Sequence, residues 1–186
     1  MPHPVAVARQ AVTEWGAVQK GAELASFLAL LMDLEPRTIV EIGSDAGGTL
    51  WAWQQVGARV IGVDLPYGCF GSGHELNDHG CEVIHGDSHD PATRDLLVKV
   101  LDGTELDVLF IDADHSYRGV KADYEMYGPL VRPGGLVVFH DICDHPEMPM
   151  CQVRAFWQSL GGDKEELVTD PPTWGGIGVL HVPEVT

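Results

Sequence analysis

Residues 38–48 read Thr-Ile-Val-Glu-Ile-Gly-Ser-Asp-Ala-Gly-Gly, and this stretch decides the fold class. The apolar run at 39–42 predicts a buried strand, and helix-compatible residues follow at 49–56. Between them lies a tight turn whose glycines carry no Cβ and can bring the backbone close to a ligand: Gly43, Gly47 and Gly48. A strand, a glycine turn and a helix in close succession are typical of parallel α/β sheets, which bind nucleotide-like ligands at the carboxyl ends of their strands.

Glu41 narrows the kind of ligand. A carboxylate just before the turn would repel the pyrophosphate of a dinucleotide, whereas it suits a ligand with an ammonium or sulfonium charge. The spacing also departs from the dinucleotide fingerprint, because Ser44 and Asp45 follow Gly43 where that fingerprint has a second glycine after one residue. Taken alone, the stretch is also compatible with an ordinary glycine turn after a strand.

Length and charge restrict the class of protein. The chain has 186 residues, which favours one domain, and its formal net charge is −17 at pH 7. A nucleic-acid partner is disfavoured, because phosphate binding needs Lys/Arg clusters and the sequence has none. An anionic membrane surface is disfavoured for the same reason.

The sequence predicts a cytoplasmic protein with reduced thiols. No apolar run approaches transmembrane length, and the first residues lack the pattern of a secretory signal. The four cysteines, at positions 69, 81, 143 and 151, show no C-x-x-C spacing. A zinc site from Cys143, His145 and Cys151 is an alternative, but no second paired-ligand motif supports it, so scattered loop residues are the better interpretation.

Strands and helices alternate until the end of the chain, which predicts a parallel α/β sheet. Further strands are predicted at 59–64, 81–85, 106–112, 136–139, 166–169 and 177–182, and helices at 5–15, 22–33, 91–101, 120–131 and 153–160. A turn is predicted at 132–135, and a loop at 66–80 with at most a short helix near 74–77. The last two strands leave no room for a helix between them and should be antiparallel.

Carboxylates follow several of these strands. Asp64 lies about twenty residues beyond the first glycine, where it can accept two hydrogen bonds from a ribose diol. Asp87, with Ser88 beside it, can accept from the amino group of a purine. Asp112 and Asp141 end two strands that should be neighbours, so their carboxylates should converge at one edge of the sheet. Two nearby histidines, His85 and His89, are expected to be surface residues.

Together these motifs resemble those of class I S-adenosylmethionine-dependent methyltransferases over nearly the whole chain. The signals are the Val-Glu-Ile-Gly turn at 40–43, the acidic strand end at Asp64, Gly-Asp-Ser at 86–88 and Pro-Gly-Gly at 133–135. The stretch Phe-Ile-Asp-Ala-Asp-His-Ser-Tyr at 110–117 is similar to the branch of macrocin-type sugar O-methyltransferases and cephalosporin-hydroxylase-like proteins of antibiotic biosynthesis. The resemblance implies one domain at 1–186, with a helical segment at 1–35 before a three-layer Rossmann-like α/β core. Its mostly parallel seven-stranded sheet would end in a reversed strand.

The resemblance also implies roles for individual residues. The cofactor S-adenosylmethionine would be bound by residues of the first turn and of the strand ends: Glu41, Gly43, Ser44, Gly47, Asp64, Leu65, Asp87, Ser88 and Asp112. A divalent metal would be held at the positions of Asp112, His140 and Asp141. The His three residues after the first Asp of this group acts as base in the family, and here it is His115, with Asp112 as its catalytic partner.

The chemistry of these residues agrees with those roles. Oxygen ligands that leave some coordination positions to water suit Mg²⁺. Such an ion would lower the pKa of a hydroxyl group bound to it. Neutral His115 could then accept its proton. His140 departs from the family pattern, because an acidic ligand is usual there and imidazole suits Mn²⁺, Fe or Zn²⁺ better. The metal could therefore differ from Mg²⁺, His140 could be no ligand, or no metal could be used.

The sequence thus favours a methyltransferase acting on a small-molecule hydroxyl, such as that of a natural product or sugar. A nicotinamide-dependent oxidoreductase and a non-catalytic module that binds S-adenosylmethionine are the alternatives. The chain is short for the sugar-modifying members and lacks much of their N-terminal and lid sequence. A homo-oligomer in which a partner subunit completes the substrate pocket would compensate for that.

Overall fold

The computed structural model describes residues 2–66 and 76–185. Seven strands form one sheet in the order β3-β2-β1-β4-β5-β7-β6. Their bounds are β1 Thr38–Ile42, β2 Arg59–Asp64, β3 Glu82–His85, β4 Leu106–Ile111, β5 Val131–His140, β6 Asp163–Leu167 and β7 Ile177–His181. The helices are α1 Pro4–Glu14, α2 Gly21–Leu34, α3 Gly48–Gln54, α4 Pro91–Leu101, α5 Tyr117–Tyr127 and α6 Val153–Ser159, with a 3₁₀ turn at Gly128–Leu130.

The predicted sheet is confirmed. Strands β1 to β5 are parallel, and β7 runs antiparallel to both β5 and β6. The order of the strands reverses between β1 and β4, where ligands bind in open α/β sheets. Each face of the sheet is covered by its own apolar cluster, one built with α1, α2 and α3 and the other with α4, α5 and α6. The result is a three-layer α/β fold, and no helix of the described chain is long and apolar enough to span a bilayer.

Several element bounds in the second half of the chain differ from the sequence prediction, and helix α5 ends at Tyr127 rather than at 131. Helix α5 begins at Tyr117 rather than at 120, because the Ser116 hydroxyl accepts a hydrogen bond from the Gly119 N–H at 3.0 Å and caps the helix. The stretch at 132–135, predicted as a turn, is part of strand β5. The Arg132 guanidinium holds it there by donating to the Asp107 carboxylate at 2.6 Å.

The remaining bounds agree closely with the prediction. Strand β2 and helix α4 have the predicted limits, and strand β6 begins three residues before the predicted 166. Residues 74 and 75 of the short helix expected near 74–77 lie outside the described residues, and residues 76 and 77 are not helical. What matters for function is that β1, β2, β3, β4 and β5 all end at the same edge of the sheet.

Candidate active site

The glycine turn after β1 is fixed by the carboxylate that ends β2. Asp64 Oδ2 accepts from the backbone N–H groups of Ser44 and Asp45, at 2.7 and 2.9 Å. Asp64 Oδ1 accepts from the Leu65 N–H at 2.6 Å. Gly43 has φ +85°, and a Cβ there would lie 2.3 Å from the carbonyl oxygen of Asp112, so only glycine brings β1 and β4 this close. Asp64 therefore holds the backbone of the glycine turn, and it also faces the cleft next to that turn.

A cavity of about 230 Å³ lies at the carboxyl ends of β1 to β4. Six of the predicted cofactor-binding residues line it: Gly43, Asp64, Leu65, Asp87, Ser88 and Asp112. Ser44 lines a smaller cavity of about 50 Å³, which shares Gly43, Asp45 and Asp112 with the larger one. Glu41 and Gly47 are not among the residues that line these two cavities.

Glu41 lies beneath the turn and is fully buried. Its Oε1 accepts a hydrogen bond from Trp53 Nε1 at 3.1 Å. Burial, opposed by hydrogen bonds, raises the pKa of the Glu41 carboxyl from 4.5 to about 8. At neutral pH the carboxyl therefore holds its proton, which the sequence did not indicate. A cationic ligand nearby would favour the ionised form.

Glu41→Gln is expected to flatten the pH dependence of stability. In the wild type the unfolded carboxyl ionises near 4.5 and the folded one near 8, so the free energy of unfolding should fall as pH rises through this window. The full loss is at most about 5 kcal/mol. Glutamine keeps an oxygen acceptor for Trp53 and has no proton to lose.

Urea denaturation across this pH range measures the slope of the free energy of unfolding against pH, and exposed Glu105→Gln is the control. Equal slopes for wild type and Glu41→Gln would contradict the assignment.

The second group of predicted residues gathers where β4 and β5 end. His115 Nε2 lies 2.9 Å from Asp141 Oδ2 and 3.4 Å from Asp112 Oδ1. His140 Nδ1 lies 3.3 Å from Asp112 Oδ1 and 3.5 Å from Asp141 Oδ2. Two imidazoles thus face the same two carboxylate oxygens. Asp141 has φ +60°, an uncommon backbone conformation for a residue other than glycine.

The charges in this cluster are strongly coupled. Hydrogen bonds to Asp112 and Asp141 raise the pKa of His115 to about 10. Burial alone would lower the pKa of His140, but the two carboxylates outweigh it and raise that pKa well above the usual value. Burial likewise opposes ionisation of Asp112 and Asp141, yet the two histidines lower both carboxyl pKa values. Within the cluster alone, His115 is an imidazolium at neutral pH, whereas the sequence suggested a neutral base.

The donor set is compatible with a divalent cation. Asp112, His115 and Asp141 each offer one ligand atom, and these atoms lie within 4.8 Å of one another. A cation between the carboxylates would offset their charge and return the His115 pKa toward its ordinary range. Oxygen ligands alone favour Mg²⁺, and an imidazole ligand favours Mn²⁺, Fe or Zn²⁺. Across 2–66 and 76–185 no second group of this kind is found.

Two polar groups near the site have partners that the sequence did not indicate. Gln19, in the connector before α2, donates from Nε2 to Asp112 Oδ2 at 2.9 Å. His89 lines the larger cavity, and its Nε2 lies 3.4 Å from the carboxylate of Asp123 in α5. Asp123 is fully buried, and burial raises its pKa to about 6. The sequence pattern around His89 and Gln19 gave no signal for these contacts, because their partners are distant along the chain.

A family model described as a methyltransferase domain matches residues 18–142. An uncharacterized protein of Acanthamoeba polyphaga mimivirus, R132, is 35% identical over 133 residues, which are 66% of this chain and 59% of that protein. The chain therefore spans less than two thirds of that relative.

Several solved structures share the fold. Cofactor-bound Rv0187 from MTB aligns with a TM-score of 0.64 and 22% identity, over 98% of this chain and 88% of that one. MycE, a methyltransferase of the mycinamycin biosynthetic pathway in complex with Mg, SAH and mycinamycin VI, aligns with a TM-score of 0.62 and 16% identity, over 98% of this chain and 55% of that one. At these identities the likeness concerns the fold. Since the methyltransferase-domain model matches well over half of its residues, the chain belongs to that methyltransferase-domain family.

Proposed function

We propose that this protein transfers the methyl group of S-adenosylmethionine to a hydroxyl oxygen of a small molecule, with the help of a divalent cation. One observation carries the proposal. Asp112 lines the cavity at the ends of β1 to β4 and also belongs to the cluster with His115 and Asp141. A donor bound in that cavity would therefore lie beside the groups that can prepare an acceptor oxygen.

The residues of the larger cavity suit the methyl donor. Asp64 can accept hydrogen bonds from the ribose hydroxyls, and charge-assisted bonds of this kind contribute about 1.5–3 kcal/mol each. Asp87 and Ser88 lie where the adenine would be bound. Asp112 and the other carboxylates at this edge make the surroundings electronegative, which favours a ligand that carries sulfonium and ammonium charges.

Asp112 and Asp141 would hold the cation, with His140 as a nitrogen ligand. Bound there, it would supply a positive charge that lowers the pKa of the acceptor hydroxyl. The two carboxylates would fix the position of the cation, because Asp112 directly follows β4 and Asp141 directly follows β5, and these strands are neighbours in the sheet. MycE carries Mg in its complex, and this supports the same assignment here.

His115 would take the proton of the acceptor. Its Nε2 already faces both carboxylates, so the position of the imidazole is fixed before substrate binds. The hydroxyl oxygen would then be able to take the methyl group in line with the sulfur of the donor, and the sulfur would leave with the electrons of the carbon–sulfur bond as SAH forms. Holding oxygen, methyl and sulfur in line can contribute about 7–11 kcal/mol to the rate. The mycinamycin complex of MycE supports a natural-product or sugar hydroxyl as acceptor.

Calorimetry with S-adenosylmethionine and with S-adenosylhomocysteine (SAH) tests the first step. Binding of both is expected, and heat from neither would remove the proposal. A parallel titration with NADH addresses the oxidoreductase alternative, which the spacing of the glycine turn disfavours, because Ser44 and Asp45 follow Gly43 where the dinucleotide fingerprint has a second glycine. Methyl transfer to a panel of sugar, phenol and macrolide hydroxyls then tests catalysis. Tight donor binding that is indifferent to His115 and Asp112 variants would instead favour a non-catalytic module.

Metal removal has its own expected result. EDTA should lower methyl transfer by about 10²-fold or more, because the acceptor hydroxyl loses its activating charge and His115 stays protonated. Adding back Mg²⁺ or Mn²⁺ should restore the rate, and the more effective ion shows whether a nitrogen ligand takes part. Calorimetric affinity for SAH in EDTA serves as the control and should change little. Full activity in EDTA, together with an active Asp141→Asn variant, would refute metal assistance.

A further inference from the structure

The side chain of Gln19 is buried and only half satisfied. It is 7% exposed, and its Nε2 donates to Asp112 Oδ2 at 2.9 Å. A carboxylate oxygen accepts hydrogen bonds, so the donor in this contact is the amide nitrogen of Gln19. The amide nitrogen must therefore face Asp112, which fixes the amide oxygen on the opposite side. Among the described residues, Gln19 Oε1 has no hydrogen-bond partner.

That oxygen belongs to a residue lining a small cavity of about 50 Å³. The cavity lies between the connector that contains Gln19 and the glycine turn, with Ser44, Thr49 and Asp112 in its wall. It adjoins the larger cavity through shared lining residues. A water molecule occupies about 30 Å³ of liquid, so the space suits one small polar group. Burying an acceptor without a donor is costly, which predicts that a donor binds there.

The wall of this cavity favours a cation with several N–H groups. The Gln19 amide offers a carbonyl oxygen, Ser44 and Thr49 offer hydroxyl oxygens, and Asp112 offers a negative charge. An ammonium group has three donors and no acceptor, so it complements this set. The amino-acid end of the methyl donor carries such a group, and the cavity continues from the space assigned to that donor.

We propose that Gln19 determines specificity for the methyl donor by accepting a hydrogen bond from its ammonium group at Oε1. This inference rests on the function proposed above. Through Nε2 the same side chain holds Asp112, so donor recognition and the position of a cluster carboxylate depend on one residue. The connector before α2 is thereby a part of the donor site and closes over its amino-acid end.

The test compares two ligands in each variant. SAH carries the α-ammonium group, and its deaminated analogue has a hydrogen in that place. The wild type should bind SAH more tightly than the analogue, and in Gln19→Leu this preference should shrink about 10-fold or more, as expected for one lost charge-assisted hydrogen bond. Affinity for the deaminated analogue itself should change little.

Further measurements keep the test decisive. Gln19→Ala guards against poor folding of the leucine variant, and 5′-methylthioadenosine, which lacks the amino-acid end, checks that the purine site is intact. Gln10→Leu is the matched control, since the Gln10 amide donates to the Glu14 carboxylate in an exposed contact on α1. A preference for SAH that is unchanged in both Gln19 variants means that water fills the cavity and overturns the inference. Equal weakening of all three ligands assigns Gln19 a structural role and also overturns it. Failure of the wild type to bind SAH would count against the proposed function instead.

Discussion

Replacement of His115 by glutamine is expected to lower kcat for methyl transfer by about 10²–10⁴-fold, the usual contribution of a general base. Glutamine retains N–H groups that can donate to Asp112 and Asp141, so the cluster should keep its arrangement. It cannot accept the acceptor's proton at neutral pH. Donor affinity should be nearly unchanged, because His115 is not among the residues that line the donor cavity.

The pH dependence of the rate should follow the charge of His115. Without a cation, its carboxylate partners raise the His115 pKa to about 10, so the base is protonated at neutral pH. The residual rate should therefore rise as the pH is raised from neutral towards 10. With a cation between the carboxylates the pKa falls, and the same rise should occur at lower pH. Rates measured with and without Mn²⁺ across this range show the displacement. In His115→Gln the rise should be absent under both conditions.

A second histidine variant provides the control. His181 ends β7, away from the cluster, and His181→Gln should leave kcat and its pH dependence unchanged. An active His115→Gln enzyme would show that the cation alone deprotonates the acceptor. The cluster would then serve only to hold the cation, and the assignment of a base at this position would be wrong.

The edge of the sheet was predictable because polarity changes abruptly where each buried strand ends. Asp64 and Asp112 directly follow apolar runs, and parallel strands bring such ends together whatever their separation in the chain. Strand β5 was predicted too short, because Pro133 and its two glycines are typical of a turn. The ion pair between Arg132 and Asp107 keeps this segment extended, and sequence pattern does not show such a contact.

The hydrogen-bond and ion-pair partners of the site residues were much less predictable. Gln19 and Asp112 are joined across 93 residues, and neither lies in a periodic pattern that points to the other. His89 seemed a surface residue until α5 placed the buried carboxylate of Asp123 beside it. Glu41 was placed correctly at the end of β1, but the pKa of its carboxyl depends on burial by several elements. Local pattern therefore locates these groups, while tertiary packing decides their charge and partners.

Asp64→Asn is expected to damage both the glycine turn and donor binding. The carboxylate serves three backbone N–H groups, two at Oδ2 and one at Oδ1. Asparagine has one oxygen, so its NH₂ group must face either the turn or the N–H of Leu65. A buried donor would then oppose another donor, at a cost of about 1–3 kcal/mol for each group left unsatisfied.

Donor affinity should fall about 10- to 100-fold in this variant, because the ribose also loses a charged acceptor. Chemical denaturation measures the loss of stability, and calorimetry with SAH at a temperature where the variant is folded measures the affinity. Asp78→Asn is the matched control, since the Asp78 carboxylate accepts from the Gly80 N–H on an exposed loop. A loss of stability with unchanged affinity would limit Asp64 to holding the turn. The ribose hydroxyls would then have to find their acceptor elsewhere along the cavity.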